Sequence, residues 1–325
     1  MNPHVIVLRP EADFKRVNAL PSASLNVSYR TPDDPQLPAQ MKESAILVMP
    51  AMGPKLPPAL FEGATLKLVQ VTGAGVDRLD EPTLKKLGIP VANVPGGSNS
   101  AVAEYAVTAT SLLLRRLAWS DAEIKAGNYE KFRARMLADN LAGMDGMTVG
   151  VVGFGVIGLA VAQAFNRMGA KIAYFDPAPR DVKAAAAIGA KPLALDELLR
   201  ACDVVTLHVP LLPATKGMIG EKQLALMRPG AILVNAARGG IVDEAALVTH
   251  LESGHLGGAA VDVYSTEPPA RDNPLLKLEG EAAQRLLLTP HIAGVTRQAS
   301  AYLFRSSWEN VERVLRGEAP LNRVY

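Results

Sequence analysis

The chain of 325 residues holds one cysteine, Cys202, so no disulfide can close within it. A lone thiol fits a reducing compartment, and a cytoplasmic location is expected. Charge of one sign is also missing. The 34 basic and 32 acidic residues leave a net charge of +2 with no long like-charge run, which removes the electrostatic case for nucleic acid or an anionic membrane as partner. Apolar runs reach only roughly ten residues, against about 20 for a bilayer-spanning helix. The opening stretch MNPHVIVLRPEADFKR has no basic segment followed by an apolar core and a small-residue cleavage site, so no secretory leader is expected. Histidines number five and aromatic residues make up 5%. No metal site is expected, and the core must be built from aliphatic side chains. Short repeats and low-complexity segments are absent as well.

What is present is aliphatic and strongly alternating. Hydrophobic residues make up 49% of a chain longer than the usual single-core limit of about 250 to 300 residues, so two domains are expected. Strands are expected at Val5–Leu8, Ile46–Met49, Leu68–Val71 and Ile89–Val94, with proline-dense loops at 31–38 and 52–58 between them. Gly96 and Gly97 then break the chain, and Ala101–Leu117 is apolar nearly all round, the pattern of a buried helix. Residues 120–141 are more polar and read as an arm toward a partner subunit. From Met147 onward apolar strands alternate regularly with helices. These strands are continuous apolar runs, the mark of a parallel sheet covered on both faces, and the fold class is α/β and doubly wound.

Gly153-Phe154-Gly155-Val156-Ile157-Gly158 matches G-x-G-x-x-G. The pattern alone is weak and would also suit a methyltransferase turn. Here a strand precedes it, a helix opens inside it, and a second strand ends in Asp176, 18 residues beyond Gly158. Gly153 permits the turn, Gly155 lets a pyrophosphate approach, and Gly158 lets helix and strand pack. Free N–H groups near Val156 and Ile157 would attract phosphate. Asp176 can accept from ribose hydroxyls and would repel a 2′-phosphate, favouring NAD over NADP, although Arg180 nearby points weakly the other way.

Three polar residues follow later strands: Arg238 after Ile232–Asn235, Glu267 after Ala259–Val263, and His291 after Leu286–Leu288. Ligands of open parallel sheets bind beyond the carboxyl ends of the strands, so all three are expected on the edge that holds the dinucleotide. Arginine suits a carboxylate or polarised carbonyl, histidine exchanges a proton near neutrality, and a carboxylate beside it favours its charged form. Taken singly, each has an ordinary alternative as a surface or loop charge.

With these stretches in hand, the chain resembles the NAD-dependent D-2-hydroxyacid dehydrogenase (D-isomer-specific 2-hydroxyacid dehydrogenase) family. The matching segments are VTGAGVDRLD (71–80), VPGGSNSAVAEYAV (94–107), GVVGFGVIG (150–158), HVPLLPATKGMI (208–219), VNAARGGIVDEAAL (234–247), DVYSTEP (262–268) and TPHIAG (289–294). The resemblance implies an oxidoreductase acting on the CH–OH group of donors, with NAD as cofactor. It implies two Rossmann-like or flavodoxin-like domains with the cleft between them. Residues 1–98 plus 291–325 would form the substrate domain, and 99–290 an inserted dinucleotide domain through which the family dimerises. Arg238 would bind the substrate carboxylate and carbonyl, His291 would donate the proton, and Glu267 would hold His291 charged. Thr72, Gly73, Ala74 and Gly75 would offer N–H groups to the carboxylate. Asp262 would contact the nicotinamide carboxamide, while Val209, Pro210, Ala236 and Gly294 would line the cofactor site. The turn Met49–Met52 would shape the substrate pocket, with Met52 among the residues lining it, unless both methionines simply pack inside the loop. Its apolar character favours a small 2-oxo acid, glyoxylate or hydroxypyruvate first and branched or aromatic acids next, and Arg133, Arg135 or Arg297 could also reach a substrate. An NAD(H)-binding redox sensor or corepressor-like protein remains the alternative, and a formate or phosphonate oxidant a lesser one.

Overall fold

The structure, a computed structural model, describes residues 3–178 and 182–325. Arg180 lies outside the described residues. The chain divides into two compact units: the described residues up to Ser98 together with Val295–Tyr325, and Asn99–Gly294. The second crossing falls after Gly294, a few residues beyond the expected one, so His291 stays on the unit that carries Glu267.

The first unit is built on strands β1 (His4–Val7), β2 (Asn26–Tyr29), β3 (Ile46–Met49), β4 (Leu68–Val71) and β5 (Val91–Ala92). Their order is β2-β1-β3-β4-β5 and every neighbouring pair is parallel. This is the flavodoxin-like order. Period-2 alternation sends Val5, Val7, Ile46, Val48 and Leu68 to one buried layer, and Ile6, Leu47, Met49, Val69 and Val71 to the other. Helices α1 (Glu11–Arg16), α2 (Leu37–Glu43) and α3 (Glu81–Lys86) connect the strands. Strand β2 was not expected from the sequence, and α2 begins inside the supposed proline loop, with Pro38 in its first turn where a missing N–H costs nothing.

The second unit opens with α4 (Asn99–Leu114), followed by α5 (Leu117–Lys125) and α6 (Tyr129–Ala138), which form the polar arm. The alternating part runs β6 (Thr148–Val152), α7 (Val156–Arg167), β7 (Lys171–Phe175), α8 (Val182–Ala187), β8 (Lys191–Pro192), α9 (Leu195–Ala201), β9 (Val204–Leu207), α10 (Glu221–Leu226), β10 (Ile232–Asn235), α11 (Glu244–Glu252), β11 (Gly258–Val261), α12 (Gly280–Ala283) and β12 (Leu286–Leu288). The strand order is β12-β11-β10-β9-β6-β7-β8, all parallel where paired. It reverses between β6 and β9, the switch point where dinucleotides bind in Rossmann sheets. Here too both faces are covered: Val149, Val151, Ile172, Val204 and Val234 face a layer with α4 and α7, while Val152, Ala173, Val205, Leu207 and Leu233 face the other. The last helix, α13 (Arg297–Leu315), returns to the first unit, where Phe304 and Trp308 pack beside Phe14. No helix among the described residues is long and apolar enough to cross a membrane.

Candidate active site

On the second unit, loops leave the carboxyl ends of β6, β7, β9, β10, β11 and β12, and they carry most of the residues singled out in the sequence. After β6 the chain turns at Gly153 with φ +92°, a left-handed conformation that disfavours a side chain. A Cβ there would lie 2.7 Å from the His208 carbonyl group, and one at Gly158 would lie 1.9 Å from the Gly153 oxygen. Gly155 differs, because a Cβ on it would meet nothing within 4 Å. The turn is therefore closed on its protein side and open at Gly155, where α7 begins without a side-chain cap. Open backbone N–H groups at the start of a twelve-residue helix fit a pyrophosphate. Asp176 reaches this turn: its Oδ2 accepts from the Phe154 N–H at 2.7 Å, and its Oδ1 accepts from the Ala178 N–H at 2.9 Å. A carboxylate at this place is of the chemical type that accepts from ribose hydroxyls. Val209 is buried beside Gly153, Ala236 and Ile157 are half-buried, and Val156 and Pro210 are exposed.

His291 and Glu267 meet directly, with Nδ1 2.8 Å from Oε2. The other carboxylate oxygen accepts from the Tyr264 N–H at 3.1 Å. Burial pushes the Glu267 carboxyl up, but the hydrogen bond and charge of His291, the Tyr264 N–H and the Arg238 charge bring it below its ordinary value. Its ionised form therefore stabilises the fold fully above the ordinary value of 4.5, and that contribution is lost as pH falls through the lower folded value. Arg238 follows β10, and its Nη1 donates to the Ala237 carbonyl at 2.7 Å. Its loop presses on the loop of Glu267: a Cβ at Gly239 would lie 1.7 Å from the Tyr264 oxygen, so only glycine allows this approach. Arginine, glutamate and histidine thus share one edge of one unit.

The main chain at His291 is left-handed, φ +55°, a conformation that costs a non-glycine residue roughly 1–2 kcal/mol. Asp262 holds it there. The Asp262 carbonyl accepts from the His291 N–H at 2.8 Å. Its Oδ1 accepts from the Ile292 N–H at 2.8 Å and the Thr289 hydroxyl at 2.6 Å, and its Oδ2 accepts from the Ala293 N–H at 2.8 Å. Burial pushes this carboxyl up, against those hydrogen bonds and the charge of His291. Sequence reasoning gave Asp262 a cofactor contact and missed this fastening role.

The remaining expected residues, Thr72, Gly73, Ala74, Gly75 and Met52, lie on the first unit. Thr72 is buried, and its hydroxyl has no hydrogen-bond partner. The Gly73 carbonyl accepts from the Val94 N–H, and the Ala74 carbonyl from Asn93 Nδ2. A Cβ on Gly73 would lie 2.9 Å from that of Ala51, so this loop and the 50–54 turn touch. Of the two methionines expected to shape a pocket, Met49 is 1% exposed and belongs to the core, and Met52 alone faces outward, 38% exposed. Position 49 is the last residue of β3 and points to a buried layer. The turn has a fastening that the sequence did not reveal: buried Arg78 donates from Nε to the Pro54 carbonyl at 2.8 Å and from Nη1 to the Pro50 carbonyl at 2.9 Å. Arg135 is committed elsewhere, to a two-pronged pair with Glu281 at 2.6 and 2.8 Å.

Residues 107–293 match the family model described as D-isomer specific 2-hydroxyacid dehydrogenase, NAD binding domain. A D-3-phosphoglycerate dehydrogenase of Archaeoglobus fulgidus is 38% identical over 80% of this chain and 47% of its own length. The chain thus spans about half the length of the phosphoglycerate dehydrogenases it matches. A glyoxylate reductase of Thermococcus litoralis is 34% identical over 100% of this chain and 97% of its own. Among solved structures, the holo form of Rhodotorula graminis D-mandelate dehydrogenase shares 26% identity with a TM-score of 0.84, covering 99% of this chain and 97% of that one. The chain belongs to the D-isomer-specific 2-hydroxyacid dehydrogenase family, and residues 107–293 are that family's NAD-binding domain.

Proposed function

We propose that the protein is an NAD-dependent 2-oxo acid reductase, and D-2-hydroxyacid dehydrogenase in reverse, acting on a small acid with glyoxylate or hydroxypyruvate first. The observation that carries this reading is the 2.8 Å contact of His291 Nδ1 with Glu267, at the strand edge that also presents Arg238 and the glycine turn. The contact uses Nδ1 and leaves Nε2 to exchange a proton with substrate. NADH, when bound, supplies the hydride to the carbonyl carbon. Arg238 binds the carboxylate and stabilises charge developing on the carbonyl oxygen, and protonated His291 delivers the proton to that oxygen. Glu267 orients the ring and offsets its charge. Asp262 Oδ2, which accepts a single bond, has capacity for the nicotinamide carboxamide. The similarity to a glyoxylate reductase, at 34% identity, supports a small acid.

NADH oxidation against 2-oxo acids from glyoxylate through hydroxypyruvate and pyruvate to branched and aromatic members tests this. Turnover of the smallest acids with NADH preferred over NADPH is expected. NADH binding with no turnover of any acid would overturn the enzyme reading and favour a redox sensor. Preference for NADPH would remove the role given to Asp176.

The same reading takes the protein as a cytoplasmic homodimer joined through the dinucleotide unit. The α5–α6 arm supports it, with Leu117, Ile124, Tyr129 and Leu137 all exposed. Sedimentation at micromolar concentration should report twice the chain mass of 34.4 kDa, and a monomer there would reject the dimer.

A further inference from the structure

We propose that Tyr105, on α4, is a positioning residue for His291 and acts through Thr289 and Asp262. The inference rests on the reading of His291 as proton donor. The Tyr105 hydroxyl lies 2.7 Å from Thr289 Oγ1, and Thr289 Oγ1 lies 2.6 Å from Asp262 Oδ1. A hydroxyl has one proton to give. An ionised Asp262 can only accept, so Thr289 donates to it and Tyr105 must donate to Thr289. The order of donors is thereby set from the helix inward to the carboxylate. Asp262 in turn accepts from the N–H groups of Ile292 and Ala293, the two residues after His291, and, through its own carbonyl, from the N–H of His291 itself. Four bonds on one residue hold a left-handed histidine that the backbone would otherwise relax.

The far side of Thr289 is held too. The Tyr264 hydroxyl donates to its carbonyl at 2.9 Å. Thr289 is thus gripped at both its main chain and side chain, and only the side-chain grip continues to Asp262. Tyr105 is half-buried on a helix whose neighbouring face is filled by Ala101, Val102, Ala106 and Ala109. Its hydroxyl is pushed up to about 12, chiefly by burial, and stays protonated as a donor throughout the working range. The titratable groups facing Asp262 are His291, Tyr105 and Tyr264. Burial raises the Asp262 carboxyl, and the Thr289 hydroxyl is the first of the hydrogen bonds opposing that rise. Without this bond the carboxyl rises further. Once protonated it accepts the loop N–H groups poorly and no longer balances the charge of His291.

The test compares Tyr105→Phe, Thr289→Val and Thr289→Ser. Tyr105→Phe should lower kcat about fivefold to tenfold with KM for NADH within twofold of the parent. Thr289→Val should lower kcat further and move the acid limb of the kcat profile to higher pH. Thr289→Ser restores the donor and should return both kcat and the limb toward the parent. Amide exchange across residues 289–294, followed by mass spectrometry, should quicken severalfold in Tyr105→Phe and Thr289→Val but not in Thr289→Ser. Parent-like kcat, pH limb and exchange in Tyr105→Phe and Thr289→Val would overturn the proposal. So would a lower melting temperature with no change in those three readouts, since that marks a merely structural contact. A parent protein without turnover defeats the reaction reading, while the exchange measurement still decides whether Tyr105 holds the loop.

Discussion

Replacing His291 with glutamine is expected to lower kcat for 2-oxo acid reduction by about 10²- to 10⁴-fold, the range for removing a positioned general acid. Glutamine approximates the length of the ring and can still donate to Glu267, so the 2.8 Å contact has a replacement. What it cannot do is carry an exchangeable proton to the carbonyl oxygen near neutral pH. The parts proposed to hold NADH lie on other loops, at Gly153–Gly158 and Asp176. Fluorescence titration should therefore give an NADH affinity within a few-fold of the parent. Turnover at the parent rate would end the assignment of His291. A joint loss of turnover and NADH binding would point to a collapsed loop instead. Glu267→Gln should be milder, because its one amide oxygen can still accept from His291, while the charge and the second acceptor, used by the Tyr264 N–H, are lost.

Much of this site is legible in the sequence, and the reason is periodicity. Strands Ile46–Met49, Leu68–Val71, Ile232–Asn235 and Leu286–Leu288 fall where continuous apolar runs place them, because both faces of each sheet are covered. Once the strands are placed, Arg238, Glu267 and His291 follow as the polar residues beyond their carboxyl ends. The same reasoning loses β2 and β8, edge strands whose residues stay partly or fully exposed and so carry little hydrophobic signal. It also misjudges Met49, since an apolar residue at a strand end gives no sign of which way it faces.

What stays hidden is the support beneath the functional groups. Tyr105 and Thr289 are 184 positions apart, and nothing local marks a tyrosine in an apolar helix as a donor to a distant threonine. A buried polar tip on such a helix does need a partner, and that requirement was the one available signal. Arg78 is similar. It reads as a charge in a loop, yet it is buried and spends its donors on two proline carbonyls of the 50–54 turn. Long-range hydrogen bonds of this kind follow from the fold and cannot precede it.

The second large effect is expected at Arg238. Arg238→Ala should lower kcat/KM for the 2-oxo acid by about 10³-fold, near 4 kcal/mol, because a charge-assisted fork on the carboxylate and a donor to the developing oxyanion go together. The two losses separate in steady-state kinetics. Binding of the carboxylate is shared by ground and transition states and appears in KM, whereas stabilisation of the oxyanion appears in kcat. Arg238→Lys distinguishes charge from shape. A lysine ammonium restores the positive charge but cannot present two parallel N–H groups, so it should recover part of the KM effect and little of kcat. The Ala237 carbonyl fixes one Nη1 hydrogen bond at 2.7 Å, which orients the fork, and a flexible ammonium gains nothing comparable. Parent-like KM and kcat in Arg238→Ala would take the residue out of the site. If lysine instead matched arginine in both constants, a point charge would suffice, and the two-pronged geometry would have to be abandoned while the position kept its role.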